Sequence, residues 1–218
     1  MYSLLLSGDT NTVTSTDQMI EVLRSSIEGL AKFSRVVLIS RNKTHHHLLS
    51  DSQLFSFQLV PGQTAGALAT AAYGICKLDE NQPFIVVPTN AQFVNGVIEV
   101  FAEKMKLLNA NVGAVVFHGS DPMYSYVRLG KSGQVIEIVE KEVMGSCALA
   151  GLYYFKDKSI FLKGLEWAMV NNVQVKQKFY MSPMLNFYIA QGVNVSLFEI
   201  PSENYVRLDA SKDKDKHE

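Results

Sequence analysis

The stretch FIVVPTNAQFVN, residues 84–95, indicates the fold more directly than any other part of the chain. Residues 84–87 are apolar and have the composition of a buried strand, which ends at a polar tip over residues 88–92. A helical pattern follows from Val97. In an open α/β sheet, ligands bind just beyond the carboxyl ends of the strands, so we expect a site at this tip. The tip contains a hydroxyl group and amides but no carboxylate.

Strand and helix patterns alternate on both sides of this stretch. Before it, apolar runs at residues 2–6 and 35–40 predict strands, and apolar residues spaced three and four apart within 19–30 predict a helix between them. After it, residues 125–129 and 135–139 flank a glycine-containing turn and predict a hairpin. This alternation predicts an α/β fold with a mostly parallel, mixed sheet, helices on both faces and a β-hairpin insertion.

The composition limits the domain count and the classes of partner. We find no internal repeat or linker, and so predict one domain over residues 1–201 and a polar C-terminal tail over residues 202–218. The net charge of −1 does not favour nucleic acid, and no apolar run approaches the roughly 18 residues of a membrane span. Two cysteines, Cys76 and Cys147, are too few for a disulfide framework. We therefore expect free thiols, a cytoplasmic location, and neither nucleic-acid nor membrane partners.

Four motifs occur in order between residues 63 and 155: QTAGALATA, FIVVPTNAQFVN, DPMYSYVRLGKSGQVIEIVEK and AGLYYF. Their sequence and spacing resemble those of nucleotidyltransferases with the GT-A fold, in particular the sugar-phosphate nucleotidyltransferases of surface-polysaccharide synthesis. Members of that family join a nucleoside triphosphate to a sugar 1-phosphate. The resemblance implies a Rossmann-like, three-layer αβα sandwich.

The resemblance also implies which residues of the first two motifs contact a ligand. A nucleotide base or ribose would lie on Gln63, Thr64 and Gly66, where a helix begins and the backbone can approach a ligand closely. A plain turn with a helix cap is the alternative explanation of these residues. At the strand tip, we expect Asn90 and Gln92 to border the pocket.

The hairpin and the strand that follows it would bind the sugar phosphate. Lys141 would contact the phosphate as a point charge, and Gly151 would leave room beneath the sugar. Tyr126 and Arg128 lie two residues apart on a predicted strand, so both face one side, which we interpret as the pocket. The alternatives are that Lys141 is an exposed lysine and that Gly151 is needed only for packing. Tyr126 and Arg128 would then simply lie on a half-exposed strand face.

The parts that bind the metal ion and the triphosphate in that family have no counterpart in this sequence. An ungapped alignment places Ala91 at the family's metal-ligating aspartate, and the residues after the first strand, 7–20, contain no arginine or lysine. An active enzyme would require Mg²⁺, which prefers carboxylate oxygens. The remaining candidates for a metal ligand are Asp209 and Asp213, and no residue is identified as catalytic.

These observations predict a nucleotidyltransferase-like protein that binds a sugar phosphate or nucleotide sugar, with weak or no nucleotidyl transfer. One alternative is an active enzyme with a rearranged metal site that uses Asp9, Asp209 or Asp213. Another is a structural or regulatory partner of an active paralogue. A homodimer formed through the apolar residues 179–188 also remains open.

Three consecutive histidines, His45, His46 and His47, have no obvious place in this interpretation. Neighbouring side chains diverge along any regular element, so the three cannot all face one metal ion. No cluster of cysteines or carboxylates at metal-ligand spacing accompanies them. We therefore expect a solvated loop at these residues.

Overall fold

The computed structural model describes residues 1–7, 16–49, 53–94 and 96–208, with only the backbone described at 16–19. The strands are β1 (Tyr2–Ser7), β2 (Arg35–Ser40), β3 (Phe55–Leu59), β4 (Phe84–Pro88), β5 (Ala91–Phe93), β6 (Val112–His118), β7 (Ser125–Leu129), β8 (Val135–Glu140), β9 (Cys147–Phe155), β10 (Val195–Glu199) and β11 (Tyr205–Arg207). The α-helices are α1 (Thr16–Ala31), α2 (Ala67–Gly74), α3 (Val97–Leu107), α4 (Lys158–Val170) and α5 (Met181–Ala190). Short 3₁₀ helices cover Lys43–Leu48, Ile75–Lys77 and Ser202–Asn204.

Within the described residues, nine strands form one mixed sheet, in which seven follow the order β10–β6–β9–β4–β1–β2–β3. Strand β1 is parallel to β2 and β4, β2 is parallel to β3, and β6 is parallel to β10. Strand β9 is antiparallel to both β4 and β6, and the β7–β8 hairpin joins the sheet through β9. The mostly parallel, mixed sheet with a hairpin insertion is the predicted α/β fold, which is thereby confirmed.

Helices cover both faces of the sheet. Side chains of the central strands alternate between the two faces, and the helices bury them on each side. On one face, α2, α4 and α5 bury residues such as Leu68, Phe161 and Leu185. On the other face, α1 and α3 bury residues that include Leu23 and Phe101. The result is a three-layer αβα sandwich. Within the described residues, no helix combines the length and the hydropathy needed to cross a membrane.

The chain after the last parallel strand departs from the prediction of a polar tail over residues 202–218. Residues Tyr205–Arg207 form β11, which pairs antiparallel with β5. The ring of Tyr205 lies 4.7 Å from that of Phe117 and 5.5 Å from that of Phe93, measured between centroids. These aromatic contacts hold a segment whose average composition is polar. Residues 209–218, and with them Asp209 and Asp213, lie outside the described residues.

The three histidines lie in a 3₁₀ helix rather than a loop, and His45 is buried, with 3% of its surface exposed. Its Nδ1 atom lies 2.9 Å from the hydroxyl of Ser40 and 3.4 Å from that of Ser7. Burial lowers the pKa of His45 below its usual value. The expectation of solvated side chains therefore applies to His46 and His47, which are exposed, but not to His45.

Candidate ligand-binding cavity

A cavity of about 430 Å³ opens at the carboxyl ends of β1 and β4. Leu6 of β1, Pro88 of β4 and the tip residues Thr89 and Asn90 lie along one side of it. The end of β8, the middle of β9 and the start of α5 lie along the other. Ligands bind at this edge of open α/β sheets, and small-molecule sites typically measure about 300–1,000 Å³. The position and size of the cavity therefore suit a small ligand.

The strand tip is held in place by hydrogen bonds on both sides. The hydroxyl of the buried Thr89 donates to the carbonyl oxygen of Leu6 at 2.8 Å, and the backbone N–H of Leu208 donates to the carbonyl oxygen of Asn90 at 2.9 Å. Asn90 lines the cavity. Gln92 does not, because it is exposed on a strand whose side chains alternate between two faces.

Gly66 lines the cavity, but its backbone explains why glycine is present. Its φ is +112°, and a Cβ added there would lie 2.4 Å from the carbonyl oxygen of Phe179. The two segments cross at this point: Phe179 N–H donates to Ala65 O at 2.6 Å, and Leu68 N–H donates to Phe179 O at 3.1 Å. The close approach of these two backbone segments therefore accounts for Gly66 whether or not a ligand lies beside it.

Gln63 and Thr64 also line the cavity, in the loop before α2. The hydroxyls of Thr64 and Thr70 are 2.6 Å apart, and the Thr70 hydroxyl donates to the carbonyl oxygen of Gly66 at 3.1 Å. These bonds fix the first turn of α2 with its amino end beside the cavity. Thr64 is not the helix cap considered from the sequence, because Gly66 is the N-cap residue of α2 and no side chain caps it. Its hydroxyl instead pairs with that of Thr70, in a position that also allows contact with a ligand.

Lys141 lies at the cavity wall directly after β8. Its Nζ donates a hydrogen bond to the hydroxyl of Tyr180 at 2.9 Å and lies 4.9 Å from the centroid of that ring. Its φ is +60°, which is uncommon for a residue other than glycine, and its backbone N–H donates to the carbonyl oxygen of Tyr124 at 3.0 Å. The ammonium group is therefore positioned by an aromatic face and by an unusual backbone conformation.

A polar cluster that the sequence analysis missed lies next to Lys141. The carboxylate of Glu140 accepts hydrogen bonds from the hydroxyls of Ser125 and Ser182, and all three residues line the cavity. Burial, together with the nearby charge of Glu140, raises the pKa of Tyr153 far above its usual value, so this phenol stays neutral. The pairing of Ser125 with Glu140 across the hairpin depends on strand register. The feature of the sequence that could have indicated this cluster is the Glu-Lys pair at the end of a predicted strand.

The hairpin strand β7 presents to the cavity the face opposite to the one expected. Ser125 lines the cavity, whereas Tyr126 is fully buried among residues that pack against α1 and α3. The hydroxyl of Tyr126 donates to the carbonyl oxygen of Asp121 at 2.8 Å, and Arg128 forms an ion pair with Glu137. The expectation that Tyr126 and Arg128 face the pocket is corrected, because an offset of one residue moves a side chain to the other face of a sheet.

Gly151 lines the cavity at an irregular point of β9, where the register against β6 shifts between Ala114 and Val116. Its φ is +80°, and an added Cβ would make only an ordinary 3.5 Å contact with Pro88. The backbone conformation of this bulge, rather than a lack of space, therefore favours glycine. The absence of a side chain also keeps this part of the cavity wall open.

Strand β11 adds two further cavity residues that the sequence analysis placed in the tail, Tyr205 and Arg207. The guanidinium carbon of Arg207 lies 5.5 Å from the centroid of the Tyr124 ring, and its Nη1 donates to the carbonyl oxygen of Met123 at 3.3 Å. Lys178 reaches the cavity from the segment before α5. Three cationic side chains, Lys141, Lys178 and Arg207, therefore line the cavity in the part of the chain that the structure describes.

The described residues do not suit Mg²⁺, the ion that the resemblance implies for an active enzyme. Glu140 is the one carboxylate among the described cavity residues, and it already accepts hydrogen bonds from two serine hydroxyls. The described residues contain no group of three or more His, Cys, Asp or Glu side chains placed to hold a metal ion. Ala91, which the resemblance aligns with a metal-ligating aspartate, has a side chain that cannot coordinate a cation.

The chain is similar to known proteins in structure, but the sequence comparisons find no match. No protein-family model matches the chain, and a sequence search of curated proteins finds no match. A crystal structure of the nucleoside-diphosphate-sugar pyrophosphorylase from Vibrio cholerae RC9 superimposes with a TM-score of 0.78 at 17% identity, covering 96% of each chain. A Bacillus anthracis protein assigned as a glucose-1-phosphate thymidylyltransferase, solved with sucrose, gives a TM-score of 0.69 at 15% identity, covering 92% of this chain and 87% of that one.

The fold is therefore that of the sugar-nucleotide nucleotidyltransferases, with the mixed sheet and three-layer arrangement of the GT-A-like class. Two solved structures with these descriptions superimpose over nearly the whole described chain. The fold expected from the four sequence motifs is confirmed.

Proposed function

We propose that the cavity binds a sugar phosphate or a nucleotide sugar and that the protein transfers nucleotides weakly or not at all. The observation that carries this proposal is the charge of the cavity. Among the described lining residues, three cations accompany one carboxylate, at the edge of the sheet where this class of fold binds ligands. Such a site favours a ligand with one or more phosphate groups.

Neutral groups around the cations match the rest of such a ligand. The amides of Gln63 and Asn90 and the hydroxyl of Thr64 can exchange hydrogen bonds with sugar hydroxyls or with a base. The rings of Tyr124 and Tyr205, 6.0 Å apart, offer aromatic surface to a base or to the C–H face of a sugar. The names of the superimposed structures, a nucleoside-diphosphate-sugar pyrophosphorylase and a glucose-1-phosphate thymidylyltransferase, support this ligand class.

The proposal of weak transfer rests on the strand tip. In-line displacement at a triphosphate requires a divalent ion to neutralise the developing charge, and the tip offers Ala91 in place of a carboxylate. The residues between the first strand and Arg24 contain no cation for the triphosphate. Because two requirements are missing, Ala91→Asp alone is not expected to produce a robust, Mg²⁺-dependent enzyme.

A thermal-shift screen tests the binding proposal, with glucose 1-phosphate, dTDP-glucose, UDP-glucose and the nucleoside triphosphates as ligands and glucose as the uncharged control. A ligand at 100 times its Kd stabilises the folded protein by about 2.7 kcal/mol, which raises the melting temperature by several degrees. No shift with any phosphate ligand at millimolar concentration would contradict the proposal. A parallel assay for pyrophosphate release from each triphosphate with Mg²⁺ and glucose 1-phosphate separates the two functions, since rapid release would establish the active alternative.

A further inference from the structure

We infer that the cavity binds the phosphates of its ligand with fixed side-chain cations, Arg207 and Lys141, so that binding requires no divalent metal ion. The inference rests on the proposed function and specifies how that site recognises its ligand. It is independent of whether any nucleotide is transferred.

Arg207 lies close to the strand tip. In the β5–β11 pair, Arg207 lies directly opposite Ala91. Residues opposite each other in an antiparallel pair share one face, with Cβ atoms about 5 Å apart. Arg207 also lines the cavity, whereas Ala91 is 5% exposed and carries only a methyl group. The residue that carries this guanidinium group is therefore the neighbour of Ala91, where the resemblance would place a metal-ligating carboxylate.

Arg207 and Lys141 both donate hydrogen bonds to one short segment of backbone, residues 123–124. Arg207 Nη1 donates to the carbonyl oxygen of Met123, and Lys141 N–H donates to the carbonyl oxygen of the next residue, Tyr124. Each cation also lies over an aromatic ring, Arg207 over Tyr124 and Lys141 over Tyr180. Side chains held in this way lose less conformational freedom when they bind phosphate than long, free side chains would.

The charge of the cavity disfavours a divalent cation. A divalent cation would have to enter a cavity that already contains Lys141, Lys178 and Arg207, and the one described carboxylate, Glu140, is bonded to Ser125 and Ser182. Like charges at short range repel strongly where water is limited. The same three cations attract a monophosphate or a diphosphate. Guanidinium groups suit phosphate because they can donate two parallel hydrogen bonds, and an ammonium group supplies a point charge.

Calorimetric titration of the full chain with dTDP-glucose, UDP-glucose and glucose 1-phosphate tests the inference, each in EDTA and in millimolar Mg²⁺. We expect at least one of these probes to bind in EDTA with an affinity within about twofold of that in Mg²⁺. We expect Arg207→Gln to weaken that binding about tenfold, Arg207→Lys to weaken it less, and Lys131→Gln, at an exposed lysine of the hairpin turn, to leave it unchanged. Ala91→Asp should also weaken it, because the new carboxylate would pair with Arg207.

The possible outcomes separate this inference from the proposed function. Binding that appears only with Mg²⁺ would overturn the inference and leave the proposed function intact. Binding in EDTA that Arg207→Gln does not change would overturn the role of Arg207. No binding of any probe in either condition would overturn the proposed function, and the inference with it. The comparison of EDTA with Mg²⁺ uses the unmodified protein, so it remains decisive even if a variant fails to fold.

Discussion

The two walls of the cavity differ in the chemistry that they offer. The neutral wall, which comprises Gln63, Thr64, Gly66, Ala67, Thr89 and Asn90, is positioned by backbone geometry and hydroxyl hydrogen bonds. The charged wall consists of Ser125, Glu140, Lys141, Lys178, Ser182 and Arg207. The neutral wall occupies the place where ligands bind in open α/β sheets, and the charged wall comes from elements added beside the parallel strands. The scaffold and the charged groups that recognise a ligand therefore come from separate parts of this chain.

The largest expected effect is on the neutral wall. Gly66→Ala would place a Cβ 2.4 Å from the carbonyl oxygen of Phe179 at a φ of +112°. We expect the free energy of unfolding to fall by about 3 kcal/mol, measured by urea denaturation. Gly62→Ala, in the same loop and with open space around its Cα, is the control and should change stability by less than about 0.5 kcal/mol. Equal effects of the two variants would show that the crossing at Phe179 does not constrain this wall.

The next effect concerns the stability of the charged wall. Ser182→Ala removes a hydroxyl that donates to the Glu140 carboxylate. Because hydrogen bonds to charged groups contribute about 1.5–3 kcal/mol, we expect a loss of about 2 kcal/mol in urea denaturation. Ser132→Ala, at an exposed serine of the hairpin turn, should have almost no effect. A neutral result for Ser182→Ala would mean that solvent replaces the lost hydroxyl and that Glu140 is not held as described.

Ligand affinity separates the two walls most clearly at Lys141. We expect Lys141→Gln to weaken binding of a phosphate-containing ligand about tenfold, since one charge-assisted hydrogen bond is lost. The melting temperature without ligand should change little, because the side chain is only half-buried. Calorimetry measures the first quantity and thermal denaturation the second. Unchanged affinity would favour the alternative given by the sequence, in which Lys141 is an exposed lysine without a role in binding.

A smaller effect tests the corrected position of Tyr126. Tyr126→Phe removes the hydroxyl that donates to the carbonyl oxygen of Asp121, at a fully buried side chain. We expect a loss of about 1 kcal/mol in stability and no change in ligand affinity. If affinity fell without a loss of stability, Tyr126 would have to contact the ligand, which would contradict the register of the hairpin.

The smallest effect is a dependence of stability on pH, outside both walls. Burial lowers the pKa of His45, so below a pH of about 6.5 the unfolded chain binds more protons than the folded protein. Stability should therefore decrease as the pH falls from 7 to 5. His45→Asn should reduce that dependence, and the exposed His47→Asn should retain it. Identical profiles for the wild type and both variants would contradict this account of His45.

The fold was predictable from the sequence, because buried strands and amphipathic helices have clear periodic patterns. The apolar residues of α1, including Leu23, Ile27 and Leu30, are buried as their spacing predicts. The cavity was predictable where a motif ends a strand or begins a helix, as at Thr64, Asn90 and Lys141.

The remaining cavity residues depend on contacts distant in sequence. Tyr126 was assigned to the wrong face because hairpin register cannot be derived from alternation alone. Tyr205 and Arg207 were placed in a tail because their strand forms only by pairing with β5 and by aromatic contacts to Phe93 and Phe117. Charge recognition was therefore less predictable than the scaffold, since it is built from non-local pairs.

A crystal structure with the tightest-binding probe of the titration series, grown in EDTA, would show whether Lys141 and Arg207 bind the phosphates without a metal ion. The account predicts that phosphate oxygens lie within about 3 Å of Lys141 Nζ and of the Arg207 guanidinium, with the sugar extending towards Gly151. A ligand whose phosphates instead lie at the neutral wall, away from both cations, would contradict it.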